Sequence, residues 1–391
     1  MSCLAGEQPV CKRGTPPRSQ PNTAKPRRPR PQCGATTALV PPASLRYAAK
    51  APQGPQGIPL LYLHGGPGGG LGCGGYRRRF DPADHLIIGV DQRGCGRSLP
   101  LASEDPASLA TNTTSHLLAD IEAVREHLGI ETWILHGVSW GSTLALAYAL
   151  EHPRRTLAVA LMAVTTTSRR EVDWITEGVG RVFPEEWDRF AEAADRHGEE
   201  RVVEAYARRL GSTDPADRED RVAAAEAWDR WESVHVSLDP YHQPGPHSVD
   251  PGRRLGFATL VTHYWANDAF MRGSADEGVP DATGGGRAGG VRVPEPAPIL
   301  ERAGELEGIP GILVHGRFDV SGPVETPWLL HRAWPGSELH VVEEEGHGGP
   351  LEVDLVTRRV AALVDRWRDE GRADTLRRTA GAGTPQGWPA V

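Results

Sequence analysis

Cysteine, lysine and methionine are scarce in this 391-residue sequence, and so is any sign of a metal site or a membrane span. The five cysteines are Cys3, Cys11, Cys33, Cys73 and Cys95. No two form a CxxC pair, and their spacing supports neither a zinc site nor a disulfide framework; a reduced, cytoplasmic setting fits best. No apolar run approaches the roughly 18 residues of a transmembrane helix. The net charge of −8 lacks the basic excess that a nucleic-acid partner requires. Glycine (46 residues) and proline (34) are abundant instead, in a chain that is 39% hydrophobic and 24% charged, enough apolar material for a sizeable core. The length suits one large domain with an insertion.

Charge is unevenly placed. Residues 1–40 hold Lys12, Arg13, Arg18, Lys25, Arg27, Arg28 and Arg30 against one acid, Glu7. The segment is rich in Pro, Ser and Thr without hydrophobic periodicity, so it reads as a disordered basic tail. It has no apolar h-region and is not a secretory signal peptide. A non-folded extension is the simpler reading, and a contact with something anionic is the alternative. Residues 372–391 form a second polar tail.

Between the tails, strand and helix signals alternate. Short apolar runs at 45–50, 58–66, 85–94, 132–137 and 157–164 read as strands, and 113–128 and 142–151 as helices. That alternation predicts a mostly parallel sheet with helices on both faces. From 168 to about 270 the chain is rich in Trp, Glu, Asp and Arg at helical spacing, which predicts an inserted helical domain. Residues 272–298, with "GGGRAGG", read as a flexible loop closing that insertion near 300. The first pattern returns from 301 to 371: strands at 311–316 and 338–343, helices at 324–334 and 351–370. The core is thus expected in two parts, 41–167 and 301–371, around an insertion at 168–300.

At the end of strand 132–137 the sequence reads G-V-S-W-G and runs into a helix. Strand, G-x-S-x-G and helix is the context of a nucleophile elbow, where a sharp turn lifts the serine hydroxyl above the sheet. Gly137 and Gly141 are there because side chains would strike neighbouring backbone. Ser139 is the expected nucleophile, against the alternative of a structural serine. A serine hydroxyl needs a base, and the base a carboxylate. Asp319 lies just past strand 311–316 and His347 just past strand 338–343, at strand carboxyl ends where parallel sheets hold their sites. A capping aspartate and an ordinary loop histidine are the plainer readings. His331 and His340 fall inside predicted elements and are weaker candidates. A tetrahedral oxyanion needs two donors. The N–H of Trp140 and that of Gly66, in the run "HGGPGGG" (64–70), are the expected pair. That run has no GK[ST], so a phosphate cradle is set aside. No metal or cofactor is expected.

Four blocks taken together, "HGGPGGG", "DQRGCGRS" (91–98), "GVSWGSTLALAYALEHP" (137–153) and "GRFD…GHGG", resemble the prolyl aminopeptidase (proline iminopeptidase) family, from about residue 58 to 370. The resemblance implies an α/β-hydrolase fold with a helical cap, release of an N-terminal residue without a metal, and the same Ser139, Asp319 and His347. It implies that "DQRGCGRS" is scaffold beneath the site. "WDRWESVHVSL" (228–238) resembles the family's W-x-x-W-E stretch, which makes Glu232 the anchor for the substrate's amine; a solvated helix face is the other reading. Trp174 and Trp265 match aromatic positions that stack on the substrate, or else belong to the cap's own core.

The sequence also departs from the family. Val261 stands where a second glutamate is usual, Met162 where an arginine is, Thr165 and Ile175 where aromatics are, and Gly322 where a cysteine is. These changes keep a second reading open, a related serine hydrolase or acyltransferase acting on an amide, ester or thioester of a specialised metabolite. A non-catalytic binding module is a third, against which the complete Ser139, Asp319 and His347 set argues.

Overall fold

A computed structural model describes residues 37–40, 45–50, 57–236, 238, 245, 248–272 and 298–371. The expectations for residues 1–36, for the loop at 273–297 and for the tail at 372–391 lie outside these. Eight strands form one sheet: β1 (Thr37–Val40), β2 (Leu45–Lys50), β3 (Ile58–Leu63), β4 (His85–Asp91), β5 (Trp133–Val138), β6 (Thr156–Met162), β7 (Gly311–Gly316) and β8 (Ser337–Val342). Their order is β1-β2-β4-β3-β5-β6-β7-β8. β1 and β2 pair antiparallel, β2 with β4 likewise, and every other pair is parallel.

One boundary is corrected. Residues 37–40, assigned above to the disordered tail, are the edge strand β1, with Thr37 opposite Ala48 and Val40 opposite Leu45. Four residues joined to their neighbour by a backbone ladder carry no side-chain period, which is why pattern alone misses them.

Strand residues alternate between two apolar layers. Leu61, Leu63, Ile88, Val90 and Leu135 face a cluster shared with α1 (Thr114–His127) and α2 (Trp140–Glu151). Leu60, Ile87, Ile134, Ala160 and Val314 face the other cluster, closed by Val356, Val360, Leu363 and Trp367 of α10 (Pro350–Asp369). Between β6 and β7 the chain leaves the sheet as α3 (Arg169–Thr176), α4 (Pro184–Ala193), α5 (Val202–Leu210), α6 (Arg218–His235), α7 (Pro251–Ala266) and the one-turn α8 (Ile299–Arg302); α9 (Glu325–Ala333) follows β7. The excursion has an aromatic centre, with Phe190 stacked 4.8 Å from Tyr206 and 5.0 Å from Trp231.

The DQRG stretch ties this scaffold together. Arg93 grips Asp120 of α1 through two bonds of 2.7 Å and also donates to the Thr111 carbonyl. Both partners are largely buried, so losing one strands the other's charge. Arg93→Ala should therefore lower the unfolding free energy by about 2–4 kcal/mol, seen as a fall in Tm in a thermal melt. An unchanged Tm would reduce the pair to a surface contact.

Candidate active site

Three strand ends supply the site. Ser139 follows β5 with φ 57° and ψ −126°, a strained backbone for a residue with a side chain. The turn is this tight because the chain on both sides is bare. A Cβ on Gly137 would stand 2.2 Å from the Gly141 carbonyl oxygen, and one on Gly141 would stand 2.1 Å from that of Leu63. Asp319 follows β7 and is buried; His347 follows β8. His347 Nδ1 lies 2.7 Å from Asp319 Oδ2, and its Nε2 lies 2.9 Å from Ser139 Oγ.

Asp319 is held by more than histidine. Its Oδ1 accepts from the Gly322 N–H at 2.8 Å and from Ser321 Oγ at 2.9 Å. His315 stands 3.7 Å from Oδ2; its Nδ1 accepts the Val164 N–H at 2.9 Å, so its proton sits on Nε2 and is donated to the Gly322 carbonyl at 2.5 Å. Burial alone would push Asp319 up. The His347 charge and hydrogen bond, then His315 and the Gly322 N–H, overcome that and hold it below the ordinary carboxylate range. Burial would lower His347, but Asp319, Glu352 and Glu232 raise it to about 8. The arrangement can draw a proton from Ser139 Oγ onto His347 and stabilise the imidazolium so formed.

A cavity of about 580 Å³ opens over Ser139. Gly66 and Trp140 both line it, as does Gly65, whose backbone crosses directly over the serine: a Cβ there would be 3.6 Å from Ser139 Oγ. Gln92 links the two stretches that carry these groups. Its Nε2 donates to the His64 carbonyl at 3.0 Å and its Oε1 accepts the Trp140 indole N–H at 2.9 Å. Gln92 was quoted above only within a scaffold motif, and its uncharged donor-and-acceptor side chain between two glycine-rich turns is the signal that could have singled it out.

The roof comes from the inserted helices. Glu232 of α6 lines the cavity. Burial, and then the like charge of Asp229, push its carboxyl up to about 8, while His347 pulls the other way. Trp265 lines the cavity too and packs edge-on 5.6 Å from Trp228, so it is both wall and core. Trp174 is not among the residues that line the cavity. Its indole N–H donates instead to the Val320 carbonyl at 2.7 Å, fastening α3 to the loop that carries Asp319.

The departures from the family divide in the same way. Thr165, Ile175 and Gly322 line the cavity. Met162 is buried in the layer beneath the sheet, with Arg79 Nη1 4.0 Å from its sulfur, and Val261 is buried among the inserted helices; neither lines the cavity. Two further residues went unremarked. Glu352 is buried at the start of α10, accepts the Ala163 N–H at 3.3 Å, and is raised to about 8 by burial. His235, at the end of α6, lines the cavity.

Comparison with known proteins gives one consistent picture. Residues 58–352 match the alpha/beta hydrolase fold family. The chain is 41% identical over 321 residues to a probable proline iminopeptidase of Streptomyces coelicolor, covering 82% of this chain and 91% of that one. It is 39% identical to a proline iminopeptidase of Xylella fastidiosa, covering 79% and 90%. Among solved structures, a probable hydrolytic enzyme from Pseudomonas aeruginosa PAO1 superposes with a TM-score of 0.50 at 17% identity, over 85% of this chain and 92% of that one, a likeness of fold.

Two measurements follow. Gln92→Met unties the turns that bear the oxyanion donors, so kcat should fall about tenfold or more while KM stays within about threefold; equal losses in both would mean a general disturbance. The rate on a chromogenic acyl substrate should rise with pH as His347 loses its proton near 8. Glu232→Gln removes a negative neighbour that raises His347, so the midpoint of that profile should move to lower pH. A midpoint that stays or rises would break the link between the two groups.

Proposed function

We propose, from the premise that this chain belongs to the proline iminopeptidase family of the α/β-hydrolase fold, that its aminopeptidase chemistry is carried by Ser139, His347 and Asp319 and that proline is the residue it releases. It is a serine aminopeptidase of that superfamily. The observation that carries the assignment of residues is the continuous line from Asp319 Oδ2 through His347 to Ser139 Oγ, at 2.7 and 2.9 Å, on the floor of the cavity. Ser139 attacks the carbonyl of the first residue while His347 takes its proton. The N–H groups of Gly66 and Trp140 hold the oxyanion. His347 then gives the proton to the leaving amine, and water repeats the sequence on the acyl-enzyme. Asp319 keeps the imidazole in the tautomer that accepts at Nε2.

The amine of the substrate goes to Glu232. A half-buried ammonium needs a carboxylate partner, and of the two acids that the insertion brings to the cavity, Glu171 already accepts from the Thr165, Thr166 and Ser168 hydroxyls, which leaves Glu232. A peptide is thus the substrate and no macromolecular partner is invoked. Among the described residues no helix is long and apolar enough to cross a membrane, and Cys95 is a free buried thiol, which supports a cytoplasmic setting.

The second reading rests on the lining. Thr165, Ile175 and Gly322 face the cavity where the family carries two aromatics and a cysteine, so the wall that would stack on a proline ring is altered. A related hydrolase or acyltransferase acting on another amide, ester or thioester would use the same floor under this changed wall. An assay on prolyl arylamide, its N-acetylated form, an alanyl arylamide and a short acyl ester, with Ser139→Ala as blank, separates the two. The first reading expects cleavage of the free-amine prolyl substrate and little of the acetylated one. Ester turnover without arylamide turnover would overturn the proline assignment while leaving Ser139 as nucleophile.

A further inference from the structure

Where the chain leaves β6, three consecutive peptide groups hold three parts of the site, although β6 supplies none of its side chains. The Met162 carbonyl accepts the Ser139 N–H at 3.0 Å. The Val164 N–H donates to His315 Nδ1 at 2.9 Å. His315 reaches Asp319 through Gly322, whose carbonyl accepts from His315 Nε2 and whose N–H donates to Asp319 Oδ1. Between these two, the Ala163 N–H donates to Glu352 Oε2 at 3.3 Å, from a backbone with φ 45° that a residue with a side chain rarely adopts.

Glu352 lies on the first turn of α10, which begins just after His347. An acid at that place ordinarily serves the helix's own N–H groups. Glu345 already does so, its two carboxyl oxygens accepting the Leu351 and Glu352 N–H groups at 2.7 and 2.8 Å. The Glu352 side chain is turned inward instead, fully buried, and it is not among the residues that line the cavity. It therefore meets no substrate. What faces it is the floor: the Ala163 N–H after β6, Asp319 after β7, and Glu345 and His347 after β8. The acid and the imidazole act on each other, since each favours the charged form of its neighbour.

We propose that Glu352 is a positioning residue for His347: it fastens the start of α10, and with it the loop that carries the histidine, to the turn that holds Ser139, and it stabilises the imidazolium from behind. The inference rests on the reading of His347 as the base for Ser139. The titratable groups facing His347 are Asp319 and His315 from the β7 side, Glu232 and His235 from α6, and Glu352 from α10. Of the three acids, Glu352 alone can be changed without altering the cavity lining or the bond from His347 to Asp319.

The test measures kcat, KM and the pH profile of the full chain on prolyl 4-nitroanilide and on 4-nitrophenyl acetate. Glu352→Leu removes both the tie and the charge, so kcat should fall about tenfold or more while KM stays within about threefold. Glu352→Gln keeps an oxygen for the Ala163 N–H and should recover most of kcat. It no longer supports the imidazolium, so His347 loses its proton more readily and the midpoint of the profile should move down by about half a pH unit or more. A residue with a merely structural role would leave that midpoint in place. A Leu variant that keeps kcat within about twofold of wild type, or a Gln midpoint that stays or rises, overturns the proposal, and if the Leu variant does not fold the Gln midpoint decides. His347→Ala tests the underlying reading separately. If it keeps wild-type turnover, or if the wild type cuts neither substrate, that reading fails and this inference with it.

Discussion

The site depends on one close backbone approach. The turn that presents Ser139 closes tightly on itself and on the end of β3: an added carbon at Gly137 would strike the Gly141 carbonyl, and one at Gly141 that of Leu63. That contact fixes three things together. It holds the serine in a conformation an open chain would leave, it starts α2 at Trp140, and it sets the HGGPGGG run beside Ser139. Gln92 spans the same gap with two hydrogen bonds. The proposed oxyanion donors are thus on stretches held by main chain and by one neutral side chain, an arrangement that costs little reorganisation when charge develops.

Electrostatics then act on a frame already rigid. Asp319 stays ionised in a buried position chiefly because of the charge and hydrogen bond of His347, with His315 and the Gly322 N–H adding to them. His347 is raised because its neighbours are acids on every side: Asp319 beneath, Glu352 behind, Glu232 above. The three acids do not share one state. Asp319 is pushed down by its donors, while Glu232 and Glu352, with few donors, are pushed up to about 8. Similar carboxyls serve different ends because hydrogen bonds are distributed unequally among them.

Much of this was legible in the sequence. Ser139, Asp319 and His347 stand at strand ends, and strand ends are visible as apolar runs followed by Gly, Asp or His. The helices α1, α2, α9 and α10 fall within two residues of their expected bounds, since each keeps an apolar face. What escaped reading depends on contacts distant in the chain. β1 exists because β2 is beside it. Trp174 matches an aromatic position by spacing, yet its indole turns to Val320. Met162 and Val261 look like losses from the pocket, yet they pack into separate apolar clusters on either side of the sheet. His235 is one more polar residue on a charged helix until the docking of α6 puts it in the roof.

The division between floor and roof explains how an intact catalytic centre can coexist with an altered lining. The floor is built from the ends of β5, β7 and β8, and the roof from helices inserted between β6 and β7. The two are joined by a shared apolar cluster and by contacts such as Tyr264 onto Asn112, Trp174 onto Val320 and Arg170 onto Glu325. Thr165 and Ile175 line the cavity, so substitutions there change what fits above Ser139. One further coupling across it is electrostatic. A carboxyl held near 8 is mostly protonated at neutral pH, and a substrate ammonium beside it favours its ionisation. The carboxylate so formed raises His347 in turn and favours the imidazolium that attack by Ser139 produces. Under the proposed roles, with Glu232 at the amine and His347 as base, an amine-bearing substrate strengthens the base that cleaves it, and an uncharged ester in the same cavity does not. Selection for a free amine then lies partly in the proton affinity of the floor, and changes to the apolar wall leave it in place.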